Sequence, residues 1–245
     1  SQLAAWLPVG ATLLAAGMDK HLSPHTARIL ERYIGPTQRY RGQRKARLFS
    51  ASRDGHTVPD SDRTATYFCE PLGTELHALP NVFSREKLDM GTRFLLEQLP
   101  RLAPCDTVVD LACGNGVLGL AAIKRGLARN VVFCDESAMA IASARRNANR
   151  LLPEAAHNFR FHHGDGLQDY IGEAAQLILC NPPFHQEHTV DEFAGAHLMV
   201  QCSHHLQPGG HLCLVANRHL DYVPVLRSMY QRVDKIAGNS KFNIL

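Results

Sequence analysis

The stretch ILCNPPFHQEH, residues 178–188, ends an apolar run with an amide, two prolines and a phenylalanine. Neither proline can donate to a sheet ladder or continue a helix. The run QLILC therefore reads as a buried strand that stops at Asn181. The strand end carries a rigid set: the Asn181 amide, the carbonyls of Pro182 and its neighbour, and the Phe184 ring. Such a set makes a tight turn with Phe184 in the core, or it grips a flat group that carries an amine. A second stretch, DLACGNGVLG (110–119), places Gly114, Gly116 and Gly119 at G-x-G-x-x-G spacing between a strand and a helix. Glycines let the backbone come close to a nucleoside and turn sharply into a helix.

Asp135 ends the next strand nineteen residues after Gly116, where a ribose-binding carboxylate belongs. A nicotinamide-dependent oxidoreductase using the same loop is therefore one reading. Asp110 favours another. A carboxylate four residues before the first glycine is awkward beside a pyrophosphate, which is already anionic. It suits a cofactor with an ammonium group, a sulfonium and no phosphates, and S-adenosylmethionine is such a cofactor. A solvated acid at a strand end is the plain alternative, and the strongly apolar strand around Asp110 argues against it. Asp135 would accept from both ribose hydroxyls. Asp165, in HHGDG after the following strand, would meet the adenine amine. Acids at the ends of three successive strands, with a glycine loop, outline the ligand crevice of an open α/β sheet.

The elements that must position these groups are legible in the alternation of patterns. SREKLDMGTRFLLEQL (84–99) reads as a helix with Ser84 near its N-cap. Strands are expected at 107–112, 130–135, 159–165, 175–181, 211–217 and the closing KFNIL, and helices at 117–126, 137–152 (Ser137 as cap) and 193–206. YFCE and TELHAL read as two further strands around a PLG turn. Repeated β-α-β with near-continuous apolar strands predicts an α/β fold: a Rossmann-like, mostly parallel sheet with helices on both faces. Residues 50–66 are polar, turn-rich and non-periodic, and are expected to be a linker. Residues 7–33 echo 206–230: each gives Leu, a Pro-Gly turn, an apolar strand, a polar turn with His, and an amphipathic helix. Residues 1–49 are accordingly expected to be the tail of a second domain of similar architecture, with the main domain at 67–245.

Bulk properties narrow the class. At 245 residues, 45% hydrophobic and 20% charged, the chain has ordinary globular composition, and a net charge of +3 argues neither for nor against nucleic acid. No apolar run approaches the ~18 residues of a membrane span. The opening SQLAAWLPVGATLLAAG has no basic start, so no signal peptide is expected. Seven scattered cysteines without a CxxC pair speak against structural zinc and a disulfide framework, and for a reducing cytoplasm.

The series DLACGNG, CDES, GDG and NPPF resembles the class I S-adenosylmethionine-dependent methyltransferases. More narrowly, NVFSREKLDMGTRFL, VVDLACGNGVLGL, FCDESAMAIASARRN, LCNPPFHQEH and VANRHLDY are similar to the ribosomal RNA large-subunit methyltransferase G family. Residues 80–245 carry this strongly, and 1–49 match more loosely the end of that family's degenerate N-terminal domain. The resemblance implies methyl transfer from S-adenosylmethionine to the exocyclic N2 amine of a guanine in 23S rRNA. The partner it implies is that RNA or a large-subunit assembly intermediate; a monomer with no membrane and no metal is expected.

On that resemblance, Asn181 and the Pro182 carbonyl would each accept an N–H of the amine, directing its lone pair in line at the sulfonium methyl. Phe184 would stack on the base, a contact worth ~1–3 kcal/mol. The cofactor would lie against Asp110, Cys113, Gly114, Gly116, Asp135, Asp165 and Asn181, with Phe83, Asp89 and Thr92 closing the pocket. RYRGQRKAR (39–47) offers Arg44 and Lys45 for RNA phosphates and Tyr40 for stacking, or is solvated charge. Arg145, Arg146 and Arg150 read as a polar helix face. His185 and His188 read as neighbours of the substrate base rather than zinc ligands. The NPPF motif does not identify the amine: adenine N6, cytosine N4 or a protein glutamine amide meet the same demands. A glutamine N5-methyltransferase and a nucleic-acid-binding module with a decayed fold remain alternatives.

Overall fold

In the computed structural model, residues 2–56, 63–183, 190–220 and 222–245 are described. Two compact units divide the chain, residues 1–62 and 63–245. In the first, α1 (Gln2–Trp6) precedes β1 (Thr12–Met18), α2 (Pro24–Tyr33), β2 (Thr37–Arg39) and β3 (Ala46–Ser52). The sheet order is β1-β3-β2, antiparallel throughout. Pro24 opens α2, where its missing N–H costs nothing. Ala27, Leu30, Ile34, Phe49 and Ala51 form the core of this unit. Ala51 is why the expected linker is shorter than 50–66. It packs inside and pairs with Leu13, so Ser50–Ser52 belong to the ladder. At the other end Ala65 and Thr66 already pair with Ala78 and His77, and residues 57–62 lie outside the described residues.

The second unit opens with the hairpin β4 (Ala65–Cys69) and β5 (Thr74–Ala78). Next come α3 (Met90–Gln98), β6 (Cys105–Leu111), α4 (Val117–Lys124), β7 (Ala128–Asp135), α5 (Ala138–Leu151), β8 (Phe159–His163) and β9 (Ala175–Cys180). It closes with α6 (Val190–His205), β10 (Leu206–Asn217), α7 (Val223–Met229), β11 (Ala237–Gly238) and β12 (Phe242–Ile244). The sheet order is β11-β12-β10-β9-β6-β7-β8, parallel from β10 to β8 and antiparallel at β12 and β11. The α/β class expected from the alternation is found.

Neighbouring residues along each strand face opposite cores, as a period of two requires. Val108, Phe133 and Leu179 pack on one face with Leu95, Leu96, Leu118 and Ala144 from the helices. Val109, Val132 and Ile178 pack on the other with Met199 and Leu226. Strands buried on both faces explain the unbroken apolar runs.

Helix α3 starts later than expected. Ser84 sits at φ 52, outside any helix, and the cap is Asp89, whose carboxylate accepts from Thr92 N. Ser137 does cap α5, accepting from Ala140 N at 3.3 Å. The strand expected at 159–165 ends at His163. The internal echo goes further than one strand and helix. In both units the last strand lies antiparallel between the first and the second of its group: β1-β3-β2 matches β10-β12-β11.

Candidate functional site

Register brings the chemically equipped residues together. β6 lies between β7 and β9, with Leu111 opposite Cys134 on one side and Cys180 on the other. The residues just beyond these pairs, Ala112, Asp135 and Asn181, are thus neighbours although far apart in sequence. β6 is also where the connections turn from one half of the sheet to the other, the position at which open α/β sheets bind ligands.

The glycine loop is wound by left-handed residues: Ala112 at φ 55, Gly114 at 53 and Gly116 at 84. Ala112 is not a glycine, and strained backbone of this kind clusters at ligand sites. Asp135 clamps the loop, accepting from Gly114 N at 2.9 Å and from Ser137 N at 2.8 Å. Each glycine has its own reason. A Cβ on Gly119 would lie 2.5 Å from Phe133 Cε1, so its absence lets α4 sit on the sheet. A Cβ on Gly114 would meet only Phe83 O, at 4.0 Å, so the space beside it is open.

Asp110 is 0% exposed. One of its oxygens accepts from Gly119 N, in the first turn of α4, at 2.8 Å, and the other has no partner among the described residues. Burial pushes its carboxyl well above the usual range, with the nearby Asp135 charge adding to the shift. A buried acceptor without a donor calls for a cation or a hydrogen-bond donor.

A cavity of about 30 Å³ is lined by Phe83, Asp89, Thr92, Asp110, Cys113, Gly114 and Asn181, all singled out in the sequence. Gly116 instead forms the N-cap of α4, and Asp165 stands apart, its side chain 68% exposed with His197 at 3.9 Å. The Asn181 amide donates to Thr92 Oγ1 at 2.8 Å and to Asp89 Oδ2 at 3.1 Å. No backbone or side-chain donor reaches the Pro182 carbonyl among the described residues. Phe184, His185 and His188 lie outside the described residues. Cys113 is a buried thiol whose pKa is pushed up by burial and by the two acids beside it.

Sequence reasoning missed Tyr67, Asn115 and Asn147. Tyr67 lines the same cavity, its hydroxyl accepts from Asn115 Nδ2 at 3.0 Å, and burial pushes its pKa up to about 12. Asn147, fully buried on α5, accepts from His77 N and donates to the carbonyls of His77 and Asn115. It ties the β4–β5 hairpin to the loop, and the only signal was a polar residue at an inward helical position. The arginines of α5 are not a plain polar face. Arg145 lies 4.3 Å over the Phe161 ring, Arg146 donates to Thr64 and Arg150 to the Glu75 carbonyl.

A second cavity, of about 950 Å³, opens at the opposite ends of the strands, beside Cys105, Gln176 and His211. Ligands of open α/β sheets bind at the carboxyl ends, so this cavity is at the wrong end of the sheet for a cofactor. Among the described residues no three His, Cys, Asp or Glu side chains are grouped to hold a metal, and no helix is long and apolar enough to cross a membrane.

In the first unit, Arg44 and Lys45 form a two-residue hairpin loop, Gln43 and Ala46 exchanging both backbone hydrogen bonds across it. Both are left-handed, at φ 48 and 63. Arg39 pairs with Glu31 and Arg47 with Asp19, whereas Arg41, Arg44 and Lys45 have no anionic partner among the described residues.

A parallel sheet with a glycine loop after its first strand, a buried acid below the loop and an Asn-Pro-Pro turn at the adjacent strand end defines a class I methyltransferase domain. The chain belongs to the methyltransferase small domain family, whose model matches residues 73–245, while the RLMG N-terminal domain model matches residues 1–55. It is 40% identical to the ribosomal RNA large subunit methyltransferase G of Alcanivorax borkumensis over 98% of this chain and 60% of that protein. With the same enzyme of Pseudomonas paraeruginosa it shares 42% identity, over 98% of this chain and 63% of the relative. The chain thus spans about three-fifths of these relatives. Among solved structures, the T. thermophilus 16S rRNA N2 methyltransferase in complex with AdoMet and guanosine is 25% identical, with a TM-score of 0.78 over 98% of this chain and 66% of that one.

Proposed function

We propose that the second unit binds S-adenosylmethionine and methylates the exocyclic N2 amine of a guanine in 23S rRNA. The observation that carries the reading is the orphaned, fully buried oxygen of Asp110, which lines the same cavity as Asn181. The residues fit the cofactor. Its ammonium would satisfy Asp110. The nucleoside would lie over the open space at Gly114 and along the strand ends, with Asp135, whose oxygens each keep a free lone pair, beside the ribose. When bound, the cofactor supplies a methyl group on a positively charged sulfur.

The chain supplies alignment. A guanine amine is a poor nucleophile because its lone pair is delocalised into the ring. The Asn181 oxygen and the Pro182 carbonyl would each accept one N–H, holding the nitrogen with its lone pair toward the methyl group. No general base is needed, since the methylated ammonium loses its proton to water. Relatives of about 40% identity that carry the large-subunit rRNA name support RNA as the substrate. The likeness to a protein solved with guanosine supports guanine over a glutamine amide.

The hairpin loop of the first unit is the candidate RNA contact. A left-handed L-residue costs ~1–2 kcal/mol, and Asn-Gly would avoid that cost. Holding Arg44 and Lys45 there, with Arg41, presents three uncompensated cations to a phosphate backbone.

The test is incubation with unmodified large-subunit rRNA and tritiated cofactor, followed by mass analysis of the nucleosides. N2-methylguanosine is expected, and label in a release-factor glutamine would overturn the substrate. Calorimetry should show binding of S-adenosylmethionine and not of NAD. Binding of NAD alone would overturn the cofactor.

A further inference from the structure

We infer that Asp89 and Thr92 are positioning residues that lock the Asn181 amide in one orientation and thereby make the site an acceptor-only site. The inference rests on the amine-methylation reading above. An asparagine amide has two faces of similar size, one carrying two donors and one carrying two lone pairs. Which face looks into the cavity is set by its neighbours.

Here the neighbours leave no choice. Asp89 Oδ2, 3.1 Å from Asn181 Nδ2, is the same oxygen that accepts from Thr92 N at 2.8 Å. An ionised carboxylate only accepts, so turning the Asn181 oxygen toward it would set two acceptors against each other. The second amide hydrogen is taken by Thr92 Oγ1, 2.8 Å away. Both hydrogens are therefore spent on the protein, and Oδ1 has no protein donor among the described residues. Asn181 consequently offers the cavity an acceptor and no donor. A group with N–H bonds is welcomed, and a bare carbonyl or anionic oxygen is refused.

The geometry is built for this. Asp89 is the N-cap of α3 and Thr92 is in the first helical turn, so the helix start holds both partners rigidly. Gly91 lies between them. A Cβ there would come 3.1 Å from Asp89 Oδ2 and 3.4 Å from Val215 Cγ2, so its absence lets the turn close against the sheet. The pair expected to form part of a cofactor wall thus acts through Asn181.

The test uses the full chain and the exchange Asp89→Ser. Serine caps a helix about as well as aspartate, so the fold is retained, but its hydroxyl donates as readily as it accepts and no longer dictates the amide orientation. Turnover with cofactor and unmodified rRNA is expected to fall about tenfold or more, as the loss of a charged hydrogen bond allows. Turnover should fall further than cofactor affinity, and the melting temperature should stay within a few degrees. Thr92→Val should lower turnover in the same way.

A readout independent of catalysis is the ¹⁵N-labelled side-chain amide of Asn181, assigned by its loss in Asn181→Ala. Its hydrogens should be protected from exchange in the wild type and unprotected in Asp89→Ser. Wild-type turnover or unchanged protection in Asp89→Ser would overturn the positioning role. Full turnover in Asn181→Ala would instead overturn the amine reading beneath it.

Discussion

Asp110 and Gly119 are joined by a 2.8 Å hydrogen bond from the helix amide to one carboxylate oxygen, and the other oxygen is equally buried and unmatched among the described residues. The residue is at once an anchor for α4 and an open valence under the glycine loop. One oxygen serves the fold, and the other is the one that the proposed cofactor's ammonium would meet.

That division sets the sign of a pH effect. Burial raises the Asp110 pKa in the folded protein, so the native state holds a proton that the unfolded chain releases. Stability is then full below the unfolded carboxyl pKa and declines as pH rises through the folded value. Asp110→Asn should flatten this decline, raising the melting temperature of the ligand-free protein at pH 8 relative to the wild type. The same exchange should weaken S-adenosylmethionine about tenfold to a hundredfold, the worth of a charged hydrogen bond. Differential scanning calorimetry across pH, with and without cofactor, measures both.

Gly114 and Gly119 should respond in opposite ways to alanine. Gly119→Ala drives a Cβ into Phe133 and Val131, an overpacking of ~1–3 kcal/mol that should lower the melting temperature by several degrees. Gly114→Ala meets no atom closer than 4.0 Å, so its cost is the left-handed backbone, ~1–2 kcal/mol. Titration calorimetry should find cofactor affinity hurt far more by Gly114→Ala than by Gly119→Ala.

Replacing Arg44-Lys45 by Asn-Gly relieves two left-handed residues and removes two cations. The variant should be more stable to heat and bind 23S rRNA fragments more weakly. The salt dependence of log affinity should flatten by about 0.7–0.9 for each phosphate no longer neutralised. Filter binding across salt concentrations tests this, and cofactor affinity should be untouched.

Asn147→Ala should be among the costlier polar substitutions. It breaks the part-buried bonds to His77 N and O and the buried bond to Asn115 O, at ~1–3 kcal/mol for each group that water fails to reach. Asn147 is wholly inside, and chemical denaturation measures the loss.

Much of the fold was legible in the residues. The period-two runs, the Ser137 cap and the glycine loop are local signals, and they marked strands, helices and the β6–α4 turn within a few residues. The start of α3 was not. Ser84 and Asp89 both have capping chemistry, and the winner is the one whose carboxylate meets Thr92 N in the folded turn. Nor was the service Asp89 and Thr92 render to Asn181, because the residue after β9 meets the start of α3 only in the folded sheet, about ninety residues away in sequence. Asn147 was hidden for the same reason: an inward polar residue declares itself only when the hairpin it holds is in place.

The mirrored order of β1-β3-β2 and β10-β12-β11 has a practical consequence. β10 has β9 along its far side, whereas β1 has no described strand there, and Leu14 and Met18 stand 66% and 50% in water. TLLAAGM carries no proline, lysine or other gatekeeper to blunt that open backbone. Among the described residues the far edge of β1 is therefore open to pairing with a further strand, as the matching edge of β10 pairs with β9.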